Sequence, residues 1–221
     1  MTFDIKQKLT GAQLAGGNPS AGYRTENDFY ATDPQAVNDL FSALSKYDPD
    51  FNDFSPRTFL EPCVGNGNIA KATTDYFLFS LKRNENSQCT FIDLVDRGYP
   101  NTKVQDFLLF EPMQPQTKFD LIVSNPPYSL ALEFVQKSLQ HLSDHGYLAF
   151  FLKIQFWEGE KRKQFLLDNP PAFCFPFAKR MPTWNNGQPT DEHGKRWATT
   201  MCHAWFVWKQ GNHDLCRTAP I

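Results

Sequence analysis

Short apolar runs alternate along the chain with stretches whose apolar residues recur every three or four positions. Val37, Leu40, Phe41 and Leu44 follow Pro34 at helical spacing. This predicts an amphipathic helix to about Leu44, with Pro34 at the first helical position and Thr32 or Asp33 as its cap. Thr58-Phe59-Leu60, Cys89-Thr90-Phe91-Ile92, Thr102-Lys103-Val104 and Phe119–Ser124 read as strands, with helices near 69–81 and 130–142. The run Tyr147–Leu152 is apolar throughout, as a central strand covered on both faces would be, and Gly146 reads as the stop of the helix before it. Alternation of this kind predicts a parallel α/β sheet. The rhythm then changes to a short helix over Lys161–Leu167, the run Phe173–Phe177, a polar stretch from Thr183 to Thr200 and the run Ala204–Trp208. Two strands joined by a long polar loop predict an antiparallel edge, with Trp205 and Trp208 as packing residues. Residues 1–27, rich in glycine and without periodicity, predict a flexible arm or lid ahead of a single domain over 28–221.

With 221 residues, 41% of them apolar and 15% aromatic, the chain can build a core without staples. Its five cysteines are widely spaced and contain no Cys-x-x-Cys pair, which argues against a disulfide framework or zinc ribbon. His193, Cys202 and His203 match no common metal-site spacing, so no metal is expected. No apolar run approaches a membrane span and no signal peptide is evident, so the expectation is a soluble cytoplasmic protein without a membrane partner. The formal charge of -2 hides an asymmetry. Residues 1–150 carry 12 basic and 18 acidic side chains, and residues 151–221 carry 10 basic and 6 acidic. A polyanionic partner would meet the C-terminal third.

In an open α/β sheet, ligands sit beyond the carboxyl ends of the strands, and the unusual residues of this chain fall there. The first long strand runs into Glu61-Pro62-Cys63-Val64-Gly65-Asn66-Gly67-Asn68. Two glycines two residues apart let a turn pass close under a bound molecule, although Ala70 breaks the dinucleotide Gly-x-Gly-x-x-Gly. The next strand ends at Asp93, where an acid can accept from both hydroxyls of a ribose. The third ends at Asp106, placed to accept from an adenine amino group. Three strand-end acids after a glycine turn favour a nucleoside ligand. The fourth strand ends in Asn125-Pro126-Pro127-Tyr128, whose prolines exclude helix and central strand and hold the flanking groups rigidly. An amide, a backbone carbonyl and an aromatic ring together suit a planar amine: Asn125 and the Pro126 carbonyl accept its two N–H groups while Tyr128 stacks on its plane.

These elements, with Asp28-Phe29-Tyr30-Ala31-Thr32-Asp33-Pro34, resemble the S-adenosylmethionine-dependent amino methyltransferases. Within them the likeness is to DNA adenine methyltransferases, particularly small phage- and prophage-encoded enzymes, and it covers most of residues 28–208. The resemblance implies a Rossmann-like, seven-stranded, mainly parallel sheet with helices on both faces and an antiparallel edge. It implies S-adenosylmethionine as cofactor, its methionine part held by Phe29, Tyr30 and Thr32, its body by the Gly65–Gly67 turn, its ribose by Asp93 and its adenine by Asp106. Glu61, Pro62, Asn68, Leu94, Phe107 and Asn125 complete that set. Asn125, Pro126, Pro127 and Tyr128 are the expected catalytic residues. The resemblance also implies base flipping onto Tyr128, with Phe156, Trp157 or Trp184 covering the other face.

Only 18 residues separate Asp106 from Asn125, and 93 follow Tyr128, which leaves no room for a separate target-recognition domain. Contacts with duplex DNA are expected from the loops at 157–163 and 179–200. There Lys161, Arg162, Lys163, Lys179, Arg180, Lys195 and Arg196 could meet phosphates, with short or low sequence specificity. Two alternatives share the Asn-Pro-Pro-Tyr element: methylation of an RNA base, and methylation of a protein glutamine amide. A noncatalytic binding module is the third.

Overall fold

Asp33 opens the first helix by accepting a hydrogen bond from the Gln35 backbone N–H at 2.9 Å, with Pro34 at the first helical position. The computed structural model describes residues 29–112, 117–185, 187–197 and 199–221; the arm expected over 1–27 lies outside the described residues. In chain order the described elements are β1 (Tyr30–Ala31), α1 (Pro34–Tyr47), β2 (Thr58–Glu61), α2 (Asn68–Tyr76), β3 (Gln88–Asp93), β4 (Thr102–Val104) and β5 (Phe119–Ser124). They continue with α3 (Ala131–Gln140), β6 (Leu142–Lys153), α4 (Glu160–Asp168), β7 (Phe173–Pro176), β8 (Trp184–Asn185), β9 (His203–Lys209) and β10 (Arg217–Thr218).

One sheet has the order β10-β7-β9-β6-β5-β2-β3-β4. Its β4, β3, β2, β5 and β6 are parallel, while β9 runs antiparallel to both β6 and β7. The sheet has eight strands rather than seven, because β10 pairs with β7 in parallel, Arg217 opposite Phe173. A two-residue strand is too short to show a period of two, so the pattern of side chains could not announce it. Gly146 is also corrected: α3 ends at Gln140 and β6 begins at Leu142, so Gly146 lies inside a strand. A Cβ there would come within 2.8 Å of the Leu142 side chain and 3.0 Å of the Phe119 carbonyl oxygen, so glycine serves close strand approach rather than a helix stop. The helix expected over 69–81 is two pieces, α2 and a π-turn over Leu78–Lys82.

The continuous apolar run in β6 is buried on both faces, and its side chains divide by period two. Tyr147, Ala149 and Phe151 join one core with Phe41 and Leu44 of α1, while Leu148, Phe150 and Leu152 join another with Phe134 and Val135 of α3. Trp205 is fully buried in the first core and donates from Nε1 to the Ala36 carbonyl at 2.8 Å. Trp208, in the second, donates to the Asn169 carbonyl at 3.0 Å. This packing brings the carboxyl ends of β2, β3, β5 and β6 to one edge, where Glu61, Asp93, Ser124 and Lys153 lie. Apart from the main sheet, β1 and β8 form a two-stranded antiparallel ribbon, Ala31 opposite Trp184 and Tyr30 opposite Asn185. Among the described residues no helix is long and apolar enough to cross a membrane.

Candidate active site

The turn after β2 holds Gly65 at φ 55° and Gly67 at φ 85°, both left-handed. At Gly67 a side chain is excluded on a second ground, since its Cβ would stand 1.9 Å from the Tyr99 ring. Asp93 fastens this turn. Its Oδ2 accepts from Gly65 N–H at 2.8 Å and its Oδ1 from Val95 N–H at 3.1 Å, with Arg97 Nε 3.8 Å away. A carboxylate offers about four lone-pair directions, so these contacts leave Asp93 able to accept further donors. Asp106 Oδ1 caps the short 3-10 helix Phe107–Leu109 through Leu108 N–H at 2.8 Å. Phe107 is buried against Phe134, whereas Leu94, beside Asp93, is largely exposed.

Glu61 is legible in the sequence as a strand-end acid; its surroundings are not. It is 1% exposed and its Oε2 has no hydrogen-bond partner among the described residues. Burial, and then the charge of Asp93, push its carboxyl well above the usual range. Burial first, and then the charges of Asp93, Glu61 and Asp106, push the neighbouring Cys63 thiol well up. Burial and the Glu61 charge also push the Tyr99 hydroxyl up to about 12. An acid whose folded-state pKa is raised contributes stability below its ordinary value of 4.5, and this is lost as pH rises through the folded-state value. Glu61→Gln should therefore raise the melting temperature of the ligand-free protein at about pH 8 and change it little near about pH 4. Thermal scans across that range check this; an equal shift at both pH values would contradict it.

At the end of β5, Asn125 donates from Nδ2 to the Tyr30 carbonyl of β1 at 3.1 Å. Pro126 is buried, and the Pro127 carbonyl accepts from Leu130 N–H at 2.9 Å, starting the 3-10 turn Tyr128–Leu130. Tyr128 is half-buried and its hydroxyl is pushed strongly up by burial. Lys153 Nζ lies 5.1 Å from the centre of its ring, and the His203 ring 5.9 Å away. His203 is buried, meets the Met181 carbonyl through Nδ1 at 3.0 Å, and is pushed down to about 4, chiefly by burial, so it is neutral at physiological pH. Beside Tyr128 opens a cleft of about 200 Å³ lined also by Ser129, Leu152, Lys153, Gln155, Phe156 and Arg162. Sequence reasoning missed Lys153, Gln155 and His203. Lys153 had a signal, as the cation that closes an otherwise apolar run.

The three aromatic candidates part company. Phe156 lines the cleft but is 5% exposed and packs edge-on against Phe206. Trp157 is 39% exposed, with its ring 5.3 Å from that of Phe206, while Trp184 is carried by β8 beside β1. Among the basic residues, Lys161, Lys163, Lys179, Arg180, Lys195 and Arg196 are exposed. Lys195 and Arg196 sit on a tight turn organised by Asp191, whose Oδ1 accepts from the His193 and Lys195 N–H groups. Arg180 contacts the Cys202 sulfur. Lys161, Arg162 and Lys163 lie in the first turns of α4 rather than in a loop, and Arg162 folds back on the segment before the helix, donating to the Glu158 carbonyl at 2.7 Å and the Gln155 carbonyl at 3.3 Å.

No family model and no curated protein matches the chain. Solved structures do. The methyltransferase subunit of a type I restriction-modification system from Streptococcus thermophilus superposes with a TM-score of 0.63 at 15% identity, over 87% of this chain and 47% of that one. A protein from Listeria monocytogenes assigned as a class I S-adenosylmethionine-dependent methyltransferase gives 0.59 at 11% identity, over 97% and 74%. One from Pyrococcus horikoshii assigned as an RNA methyltransferase gives 0.50 at 11%, over 93% and 99%. The chain spans about half the length of the restriction-modification subunits it matches. At these identities the likeness is one of fold, and the fold is that of the class I S-adenosylmethionine-dependent methyltransferases.

Proposed function

We propose that the protein transfers a methyl group from S-adenosylmethionine to the 6-amino group of adenine in DNA. The residues present fit that cofactor. Acids gather at the glycine turn: Asp93 accepts from Gly65 N–H at 2.8 Å, and Glu61, at the end of β2, is buried with its Oε2 unpartnered among the described residues. Such a cluster calls for a ligand that carries positive charge and hydroxyl donors. S-adenosylmethionine has both, and when bound it supplies an electrophilic methyl on a sulfonium. Asp93 and Asp106 would hold the nucleoside part; Glu61 and the turn would face the charged part.

The observation that carries the target is the orientation of Asn125. With its Nδ2 given to Tyr30, the amide presents Oδ1 as an acceptor. Oδ1 and the Pro126 carbonyl can then take both N–H groups of an exocyclic amine and leave the nitrogen lone pair directed at the methyl. Direct displacement needs this alignment more than a strong base, and no group of the site is required to remove a proton before transfer. The amine of a paired adenine cannot reach so recessed a point, so the base leaves the helix at a cost of a few kcal/mol, partly offset by stacking on Tyr128. The Streptococcus neighbour belongs to a restriction-modification system, which supports DNA as the acceptor.

Exposed Lys161, Lys163, Lys195 and Arg196 would contact phosphates, with recognition of a short sequence. Lys161→Ala should lower the slope of log affinity against log salt by about one. Arg162→Ala, which removes a guanidinium already held by loop carbonyls, should leave that slope unchanged and reduce turnover instead. Competition between duplex DNA and single-stranded RNA for labelled methyl tests the acceptor. Preferential labelling of DNA is expected, and preferential labelling of RNA would overturn the assignment.

A further inference from the structure

We infer that Tyr30 is a positioning residue: its backbone carbonyl selects which end of the Asn125 amide faces the substrate, and the β1–β8 ribbon holds that carbonyl in place. The inference rests on the reading of Asn125 as the amine acceptor. An amide side chain can sit in two orientations related by a half-turn, and only one presents oxygen to an amine. A carbonyl can only accept, so its position 3.1 Å from Nδ2 fixes the choice.

What fixes Tyr30 in turn is tertiary. Two residues of strand have no stability of their own, and β1 belongs to no part of the main sheet. It is clipped at Thr32, whose carbonyl accepts from Asn68 Nδ2 at 3.0 Å, and along its edge by Trp184 and Asn185. The turn after β8 is itself seated on the glycine loop: a Cβ at Gly187, φ 73°, would stand 2.6 Å from Asn66 Nδ2 and 3.2 Å from the Phe29 ring. Segments around residues 30, 68 and 185 therefore hold one another, and among them the Tyr30 carbonyl meets the Asn125 amide. Lys195 and Arg196 lie in the same polar stretch as β8, so the support of the amide and the proposed DNA contacts share one loop.

Asn125→Asp tests this directly. In that variant an oxygen replaces Nδ2 against the Tyr30 carbonyl, and two acceptors repel unless the acid is protonated. The carbonyl stabilises the neutral acid and raises its pKa. Turnover of Asn125→Asp relative to wild type should thus be greatest at low pH and fall about tenfold per unit above that raised pKa. A ratio that does not rise as pH falls, whether the variant is active or inactive throughout, overturns the inference. A second readout needs no activity. In the wild type, the side-chain amide protons of Asn125 should be protected from solvent exchange by nuclear magnetic resonance. In Gly187→Val, which strains a left-handed backbone and crowds Asn66 and Phe29, that protection should be lost; protection retained would also overturn the inference. If the wild type transfers no methyl to DNA, the proposed function fails while the exchange measurement still decides the role of Tyr30.

Discussion

Replacing Asn125 by alanine is expected to lower methyl transfer by about 10²–10³-fold or more, with a far smaller loss of affinity for S-adenosylmethionine. The amide lies at the end of β5 and makes its described bond to the Tyr30 carbonyl, so its removal takes away the acceptor that aligns the amine. It leaves Glu61, Asp93 and Asp106 where they are. Single-turnover rates with saturating cofactor, alongside calorimetric titration, separate the two quantities. Near-native turnover in this variant would mean that the reacting amine is held elsewhere.

Asp93→Ala should do the opposite, weakening cofactor binding strongly while sparing turnover at saturation. Two losses combine. The ribose loses a charged acceptor, a bond of about 1.5–3 kcal/mol, and the Gly65 N–H loses the oxygen that fastens the turn at 2.8 Å. A rise in Kd of about 10²-fold follows from the first alone at its upper value. Asp93→Asn, which keeps one oxygen for Gly65, should lose less. Titration with S-adenosylhomocysteine checks both; equal, small effects of the two substitutions would remove Asp93 from the cofactor site.

Much of this arrangement could be read before any coordinates. Phe119–Ser124 is a strand with the expected limits, Pro34 and Asp33 begin α1 as their chemistry requires, and β6 is buried on both faces as its unbroken apolar run implies. Such features depend on local pattern, which a sequence displays. The features that escaped depend on who meets whom. Glu61 is an ordinary strand-end acid until packing buries it with one oxygen unpartnered among the described residues. Lys153 and His203 flank Tyr128 because they stand opposite each other in the β6–β9 register, a pairing across fifty residues that no period announces. The β1–β8 pairing joins two dipeptides more than 150 residues apart, and Arg162 has the look of a phosphate contact until the segment before α4 is seen to accept its donors.

The central claim is methyl transfer to adenine. Incubation with unmethylated duplex DNA and labelled S-adenosylmethionine, followed by digestion and nucleoside mass spectrometry, tests it most directly. The account predicts label in N6-methyldeoxyadenosine, absent when Asn125→Ala replaces the wild type. Label in another nucleoside, or no labelled nucleoside from a preparation that binds the cofactor, would contradict it.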